Sequence, residues 1–204
     1  TTNVTVNKSA VNLTVNNAGA TTLTTGANNV VTMATSASVI GTELTVKGEG
    51  NATLVFAAGN DLNGEKITNA KTSGDLIIKS ADTNGEDISK VQATLVEFTA
   101  AQASGATTVA TGANLKYSAA AGAINVTIAG TSTTDTATAE LTASQTSVTA
   151  TGVETLNIKA NATATSGTDL TIGTLTTGAN KVVLTGTNDV ALTSLVSTAG
   201  TVDA

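Results

Sequence analysis

The chain has 204 residues, a net charge of −6 and a pI near 4.4, with 19 Gly and no Pro, Cys, His or Trp. That length allows one long domain or two small ones. The missing residue types exclude disulfide frameworks, thiolate metal sites and Ser-His or Cys-His nucleophilic chemistry. All nine basic residues are dispersed Lys, so no clustered positive face is available for nucleic acid.

Aromatic residues make up 1% of the chain: Phe56, Phe98 and Tyr117. A core must therefore be built from Val, Leu, Ile, Ala and Thr methyls. Such side chains suit closely stacked sheets, and the β-branched ones favour pleated backbone. The mean hydropathy of +0.19 and the modest net charge do not fit intrinsic disorder. No apolar run approaches the ~18 residues of a membrane helix. With no signal peptide and no initial Met, the chain reads as a mature or excised segment.

In chain order, short β-type runs alternate with Gly, Asn, Asp and Ser punctuation. Val11-Asn12-Leu13-Thr14-Val15, Leu44-Thr45-Val46 and Ile124-Asn125-Val126-Thr127-Ile128 alternate apolar with polar. Leu54-Val55-Phe56 and Leu76-Ile77-Ile78 are continuous apolar runs, the pattern of strands buried on both faces. Asn16-Asn17-Ala18-Gly19, Asn63-Gly64 and Asn84-Gly85 are turn signals, because Gly and Asn tolerate positive φ. Between Asp87 and Gln102 the sequence is ambiguous. Ile88, Val91, Leu95 and Phe98 stand at helical spacing, so a short helix near 87–102 competes there with a strand.

Internal repetition is the strongest feature. Leu23-Thr24-Thr25-Gly26-Ala27-Asn28-Asn29-Val30-Val31 returns as Leu175-Thr176-Thr177-Gly178-Ala179-Asn180-Lys181-Val182-Val183, and Thr111-Gly112-Ala113-Asn114 repeats the turn before Leu115-Lys116-Tyr117. Each copy reads as strand, Gly-Ala-Asn turn, strand. Val153-Glu154-Thr155-Leu156-Asn157-Ile158 has a looser partner in Val91-Gln92-Ala93-Thr94-Leu95-Val96, which tilts the ambiguous segment towards strand. The copies are unequally spaced. The fold class expected is all-β: an irregular β-helix or β-solenoid, or stacked β-sheets, in which each unit buries its face on the next. Residues 1–204 form one elongated region, with a sub-boundary near 103–106 or 130–135.

Oxygen-bearing side chains at alternate positions of a turning backbone can converge on a hard cation. Asp82, Asn84 and Glu86 have that spacing, as do Asp61 and Asn63 with Glu65, and Asn188-Asp189 more weakly. The competing reading is an ordinary tight turn whose side chains bond their own backbone. Calcium is the one cofactor expected, at Asp82, Asn84, Glu86, Asp61 and Asn63; no catalytic residues are identified. A carboxylate pair for glycoside chemistry would lack the aromatic platforms of a sugar cleft. Rows of Thr such as Thr22-Leu23-Thr24 and Thr136-Ala137-Thr138 are too unevenly spaced along the chain for an ice-binding face.

Gly152-Val153-Glu154-Thr155-Leu156-Asn157-Ile158, then Gly167-Thr168-Asp169-Leu170-Thr171-Ile172 and Val182-Val183-Leu184-Thr185-Gly186, resemble phrases of S-layer and RTX-type secreted proteins of Gram-negative bacteria, in the style of the Caulobacter and Campylobacter S-layer subunits. The resemblance is clearest over 147–200. It implies secretion without a cleaved signal, an extracellular place on the cell surface, calcium dependence and self-assembly into a lattice or filament. Anchoring would fall to parts of the protein outside this chain, without membrane insertion. The family's glycine-rich calcium nonapeptide has no intact copy here; Gly59-Asn60-Asp61-Leu62-Asn63-Gly64 is at most a degenerate relative. The function expected is a non-enzymatic surface-layer segment. The alternative is a stalk or passenger module of a large adhesin, whose binding surface would centre on Phe56, Phe98 and Tyr117.

Overall fold

A computed structural model describes residues 2–14, 19–33, 41–60, 62–103, 105–162, 169–179, 181–197 and 200–204. Within them the chain is all-β, a solenoid of parallel sheets with no helix. The strands are β1 (Thr2–Val6), β2 (Ala10–Leu13), β3 (Thr21–Thr25), β4 (Asn29–Met33), β5 (Leu44–Gly48), β6 (Ala52–Phe56), β7 (Ile67–Lys71), β8 (Leu76–Ser80), β9 (Leu95–Phe98) and β10 (Thr107–Val109). There follow β11 (Ala113–Tyr117), β12 (Ala123–Ile128), β13 (Thr136–Leu141), β14 (Gln145–Thr151), β15 (Thr155–Ala160), β16 (Leu170–Thr177), β17 (Lys181–Gly186), β18 (Val190–Ser197) and β19 (Thr201–Asp203).

Strands go alternately to two sides, except that β8 and β9 follow each other on the same one. One side is a continuous ten-stranded sheet in the order β19-β17-β15-β13-β11-β9-β8-β6-β4-β2. The other consists of a four-stranded sheet, β1-β3-β5-β7, and a five-stranded sheet, β10-β12-β14-β16-β18. Every pairing is parallel, for instance Thr136↔Thr155 through Leu141↔Ala160 between β13 and β15. Away from β9, each coil thus hydrogen-bonds its neighbours through both its strands. Inward residues of all three sheets join one core, which runs from Val6 to Val182.

The alternation explains why these residues form these strands. In β12 the burial pattern puts Ile124, Val126 and Ile128 inside and Ala123, Asn125 and Thr127 at the surface. The continuous apolar runs behave the same way. Leu54, Phe56, Leu76 and Ile78 are fully buried, but Val55 and Ile77 stand half-buried on the outer face. Burial on both faces was the expectation; a solenoid has only one core, so each strand has only one inward side.

The 87–102 segment contains no helix. Its helical spacing is coincidental with a turn and a strand: Val91 bridges Ile67, and β9 pairs with β8 and β11. Val96 lies in the same inward column as Ile158, through Leu115 and Ala139. The repeat match between 91–96 and 153–158 therefore marks equivalent positions in two coils.

Coil length varies while register holds. Partners are 18 residues apart at Ile77↔Leu95 and 27 apart at Gln145↔Ile172. The surplus is carried in the turns, which cost little to lengthen. Where coils approach most closely, glycine is required. Gly48 has φ +113°, and a Cβ there would sit 1.8 Å from the Thr25 carbonyl oxygen. At the corner, a Cβ on Gly74 would meet the Gly50 backbone at 2.2 Å. The Gly26-Ala27-Asn28 turn between β3 and β4 uses Asn28 at φ 58°. The third copy departs from the expected pattern: Gly112 ends the turn at φ 78°, and Ala113 and Asn114 already belong to β11.

Candidate functional site

The calcium expectations fall on the wide-turn edge of the solenoid. Asp82 Oδ1 accepts the Asn84 backbone N–H at 2.8 Å and its side-chain amide at 3.4 Å. This is a turn closed by its own side chain. Glu86 points inward, is 2% exposed, and its Oε1 accepts the Leu62 backbone N–H at 3.0 Å. Asn63 Oδ1 accepts the Asp87 backbone N–H at 2.9 Å, beside a Gly64 N–H to Asp87 carbonyl bond of 2.7 Å. The fold therefore brings Asn63 and Glu86 to one seam between adjacent coils and leaves Asp82 with Asn84 on the next turn. Asp61 lies outside the described residues. Asn188 Oδ1 accepts the Ala162 N–H at 2.8 Å, again joining two coils. Among the described residues no three acidic groups gather in a way that could hold a metal ion.

Next to that seam, Asp87 Oδ1 accepts the Ser89 hydroxyl at 2.6 Å and the Ser89 N–H at 3.0 Å. Those bonds hold the Asp87 carboxyl below the ordinary carboxylate range, against a smaller upward push from burial.

The aromatic residues are not a binding surface. Register places all three in one inward column of the long sheet: Met33, Phe56, Ser80, Phe98, Tyr117, Leu141 and Ala160. Phe56 and Phe98 are fully buried. Phe98 and Tyr117 stack with ring centroids 5.2 Å apart at 13°. Tyr117 Oη is buried with no hydrogen-bond partner, and burial pushes its pKa upward.

Two further constellations escape a linear reading. Gln145 is buried on the wide-turn edge. Its Nε2 donates to the Ala119 and Ala143 carbonyls, both at 2.9 Å, and its Oε1 accepts the Gly122 N–H at 3.0 Å. Gln102 repeats the arrangement, donating to the Asp82 carbonyl at 2.8 Å and the Ala100 carbonyl at 3.3 Å. These side chains satisfy turn carbonyls that would otherwise be buried unpaired.

The other is a column of alternating charge on the outer face of the long sheet. Register pairs Lys79 with Glu97, Glu97 with Lys116, Lys116 with Glu140, and Glu140 with Lys159. Lys79 Nζ lies 2.9 Å and Lys116 Nζ 3.8 Å from the Glu97 carboxylate. The Ser118 hydroxyl also donates to Glu97. Burial pushes the Glu97 pKa up, but Ser118, Lys79 and Lys116 together outweigh it and hold the group below its ordinary value. A parallel column begins with Val30, Thr53, Ile77 and Leu95. The five charges are 18 to 24 residues apart in sequence, so only a search for opposite charges at coil-length separations would have found them.

The opposite side differs. The strands β10, β12, β14, β16 and β18 contain no charged residue. Thr149 pairs with Thr176, and Ser147 with Thr174, in outward rows. No family model, curated protein or solved structure matches this chain.

Proposed function

We propose that the chain is a structural segment of a secreted, S-layer-type surface protein that self-assembles into a cell-surface lattice. The observation that carries this reading is the geometry of the outer faces. A stack of coils with one continuous core presents two extended faces, one of them without charge in the strands of its five-stranded sheet. Such faces meet one another with little like-charge repulsion and with little entropy lost from long side chains. The work of the segment is packing: backbone ladders stiffen it, and its faces meet copies of itself.

Calcium enters this reading at Asp82, Asn84 and Asn63, where the ion would compete with the backbone N–H groups that the Asp82 and Asn63 oxygens now accept. Negative-stain electron microscopy of the purified chain, with and without about 1 mM calcium, tests the proposal. Ordered sheets or filaments are expected. A monodisperse, elongated monomer under both conditions would overturn self-assembly by this segment and favour the adhesin-stalk alternative. Order that appears only with calcium would assign the ion a role in assembly.

A further inference from the structure

We infer that the outer face of the long sheet is a second self-association surface, and that its charge column sets the register between two copies. This inference rests on the self-assembly reading and adds a charged, register-setting contact to the uncharged face.

The column runs Lys79, Glu97, Lys116, Glu140, Lys159 across β8, β9, β11, β13 and β15, with one charge per strand and alternating sign. Neighbouring strands are about 4.8 Å apart, so the charges form a ruler of that period. Consider two such faces related by a two-fold axis parallel to the strands. The operation reverses strand order but keeps each residue's position along its strand, so column meets column.

If the axis passes through β11, every contact joins like charges: Lys116 meets Lys116, Glu97 meets Glu140, and Lys79 meets Lys159. If it passes between β11 and β13, every contact between charges joins opposite signs, and Lys79 meets the uncharged Thr185. Lys116 meets Glu140 of the second copy and Glu97 meets Lys159, each twice. Ile77 then faces Val183 in the adjoining column. An axis between β9 and β11 also opposes unlike charges, but it sets Lys159 against Val55. The axis between β11 and β13 is favoured for a second reason. Glu140 and Lys159 have no intrachain ion pair among the described residues, whereas Lys79, Glu97 and Lys116 already share one cluster. The uncommitted end of each column thus meets a committed charge of its partner. Column self-complementarity gives an isologous contact, and its alternation penalises a one-strand slip.

Sedimentation equilibrium of this chain at about 10 mM and about 1 M salt tests the inference, because screening length falls from about 30 Å to about 3 Å between them. The four facing pairs predict a dissociation constant roughly tenfold to a hundredfold weaker at high salt. A chain with the whole column inverted (K79E, E97K, K116E, E140K, K159E) keeps the alternation within the chain and so guards against misfolding. It is expected to associate with itself as the parent does, whereas Glu140→Lys alone sets Lys116 against a second lysine in the favoured register and is expected to weaken association at low salt roughly tenfold. Association that ignores salt, or that Glu140→Lys leaves unchanged, would overturn the assignment of this face while leaving self-assembly standing. A monomer at every concentration and salt, with no ordered material by microscopy, would overturn both.

Discussion

The two sides of the solenoid are built from the same coils yet differ in continuity and in charge. The long sheet runs unbroken through ten strands and carries the alternating column on its surface. The opposite side is interrupted between β7 and β10, where only the isolated bridges Ile67↔Val91 and Asp87↔Thr108 connect it. A cleft of about 220 Å³ opens there, lined by residues including Ile88, Val91, Val96, Val109 and Leu115. The difference teaches that one unbroken sheet suffices to keep the coils in register, and that chain-length variation is absorbed on the other side. The continuous side also holds the large side chains, because Phe56, Phe98 and Tyr117 share one of its inward columns.

That asymmetry can be broken from the inside. Phe98→Ala removes a fully buried ring and the stacking partner of Tyr117. A loss of about 3–5 kcal/mol is expected in chemical denaturation, with the unfolding midpoint as readout. A loss below about 1 kcal/mol would mean that the aromatic column does not anchor the core. Gln145→Leu is expected to cost less, about 1–3 kcal/mol, because it strands the Gly122 N–H and the Ala119 and Ala143 carbonyls in a buried turn. Thermal unfolding of this variant beside Thr146→Leu, an exposed neighbour, separates the buried network from a general effect of the turn.

Much of this architecture was legible from residue order and some was not, for reasons visible at particular positions. Alternation in Ile124–Ile128 fixed a strand with its inward face, because a pleat has period two whatever the coil length. The repeated Leu23–Val31 and Leu175–Val183 segments match in their first strands, where Leu23 and Leu175 are both inward, but slip by one in the second, where Val31 is inward in one copy and Val182 in the other. The half-exposure of Val55 and Ile77 was hidden, since an apolar run does not say how many of its faces meet a core. The acidic and amide residues of the turns could not be resolved from order alone, because Asx turns and cation loops use the same oxygens; in the fold, backbone N–H groups bond to Asp82, Asn63 and Glu86. The charge column was illegible because unequal turns scramble its spacing, so only register reveals it.

On the surfaces the comparison sharpens to smaller effects. Lys116→Glu places three negative charges in consecutive positions of the column, and about 1 kcal/mol of stability is expected to go. Thr176→Lys on the uncharged side should change stability by no more than about 0.5 kcal/mol. Equal effects at the two sites, read from paired denaturation curves, would show that the column contributes nothing as a column.

The smallest expected effect is the part of the pH dependence that the long-sheet face contributes. The folded-state pKa of Glu97 is held below its ordinary value of 4.5, because Ser118, Lys79 and Lys116 outweigh its burial. An unfolded Glu97 binds a proton more readily than the folded one, so its contribution is fully present above about 4.5 and is lost as pH falls through the lower folded value. Lys116→Gln removes one of the cations that depress it and should flatten the acid limb of the stability curve measured between about pH 3 and pH 6. Asp87 also titrates low, but through Ser89 on the wide-turn edge, and Lys116→Gln leaves that group untouched. The acid limb should therefore shrink without vanishing. An unchanged limb would leave the acid sensitivity to Asp87 and to Glu43, which Thr68 and Lys66 hold low, and remove Glu97 from the account.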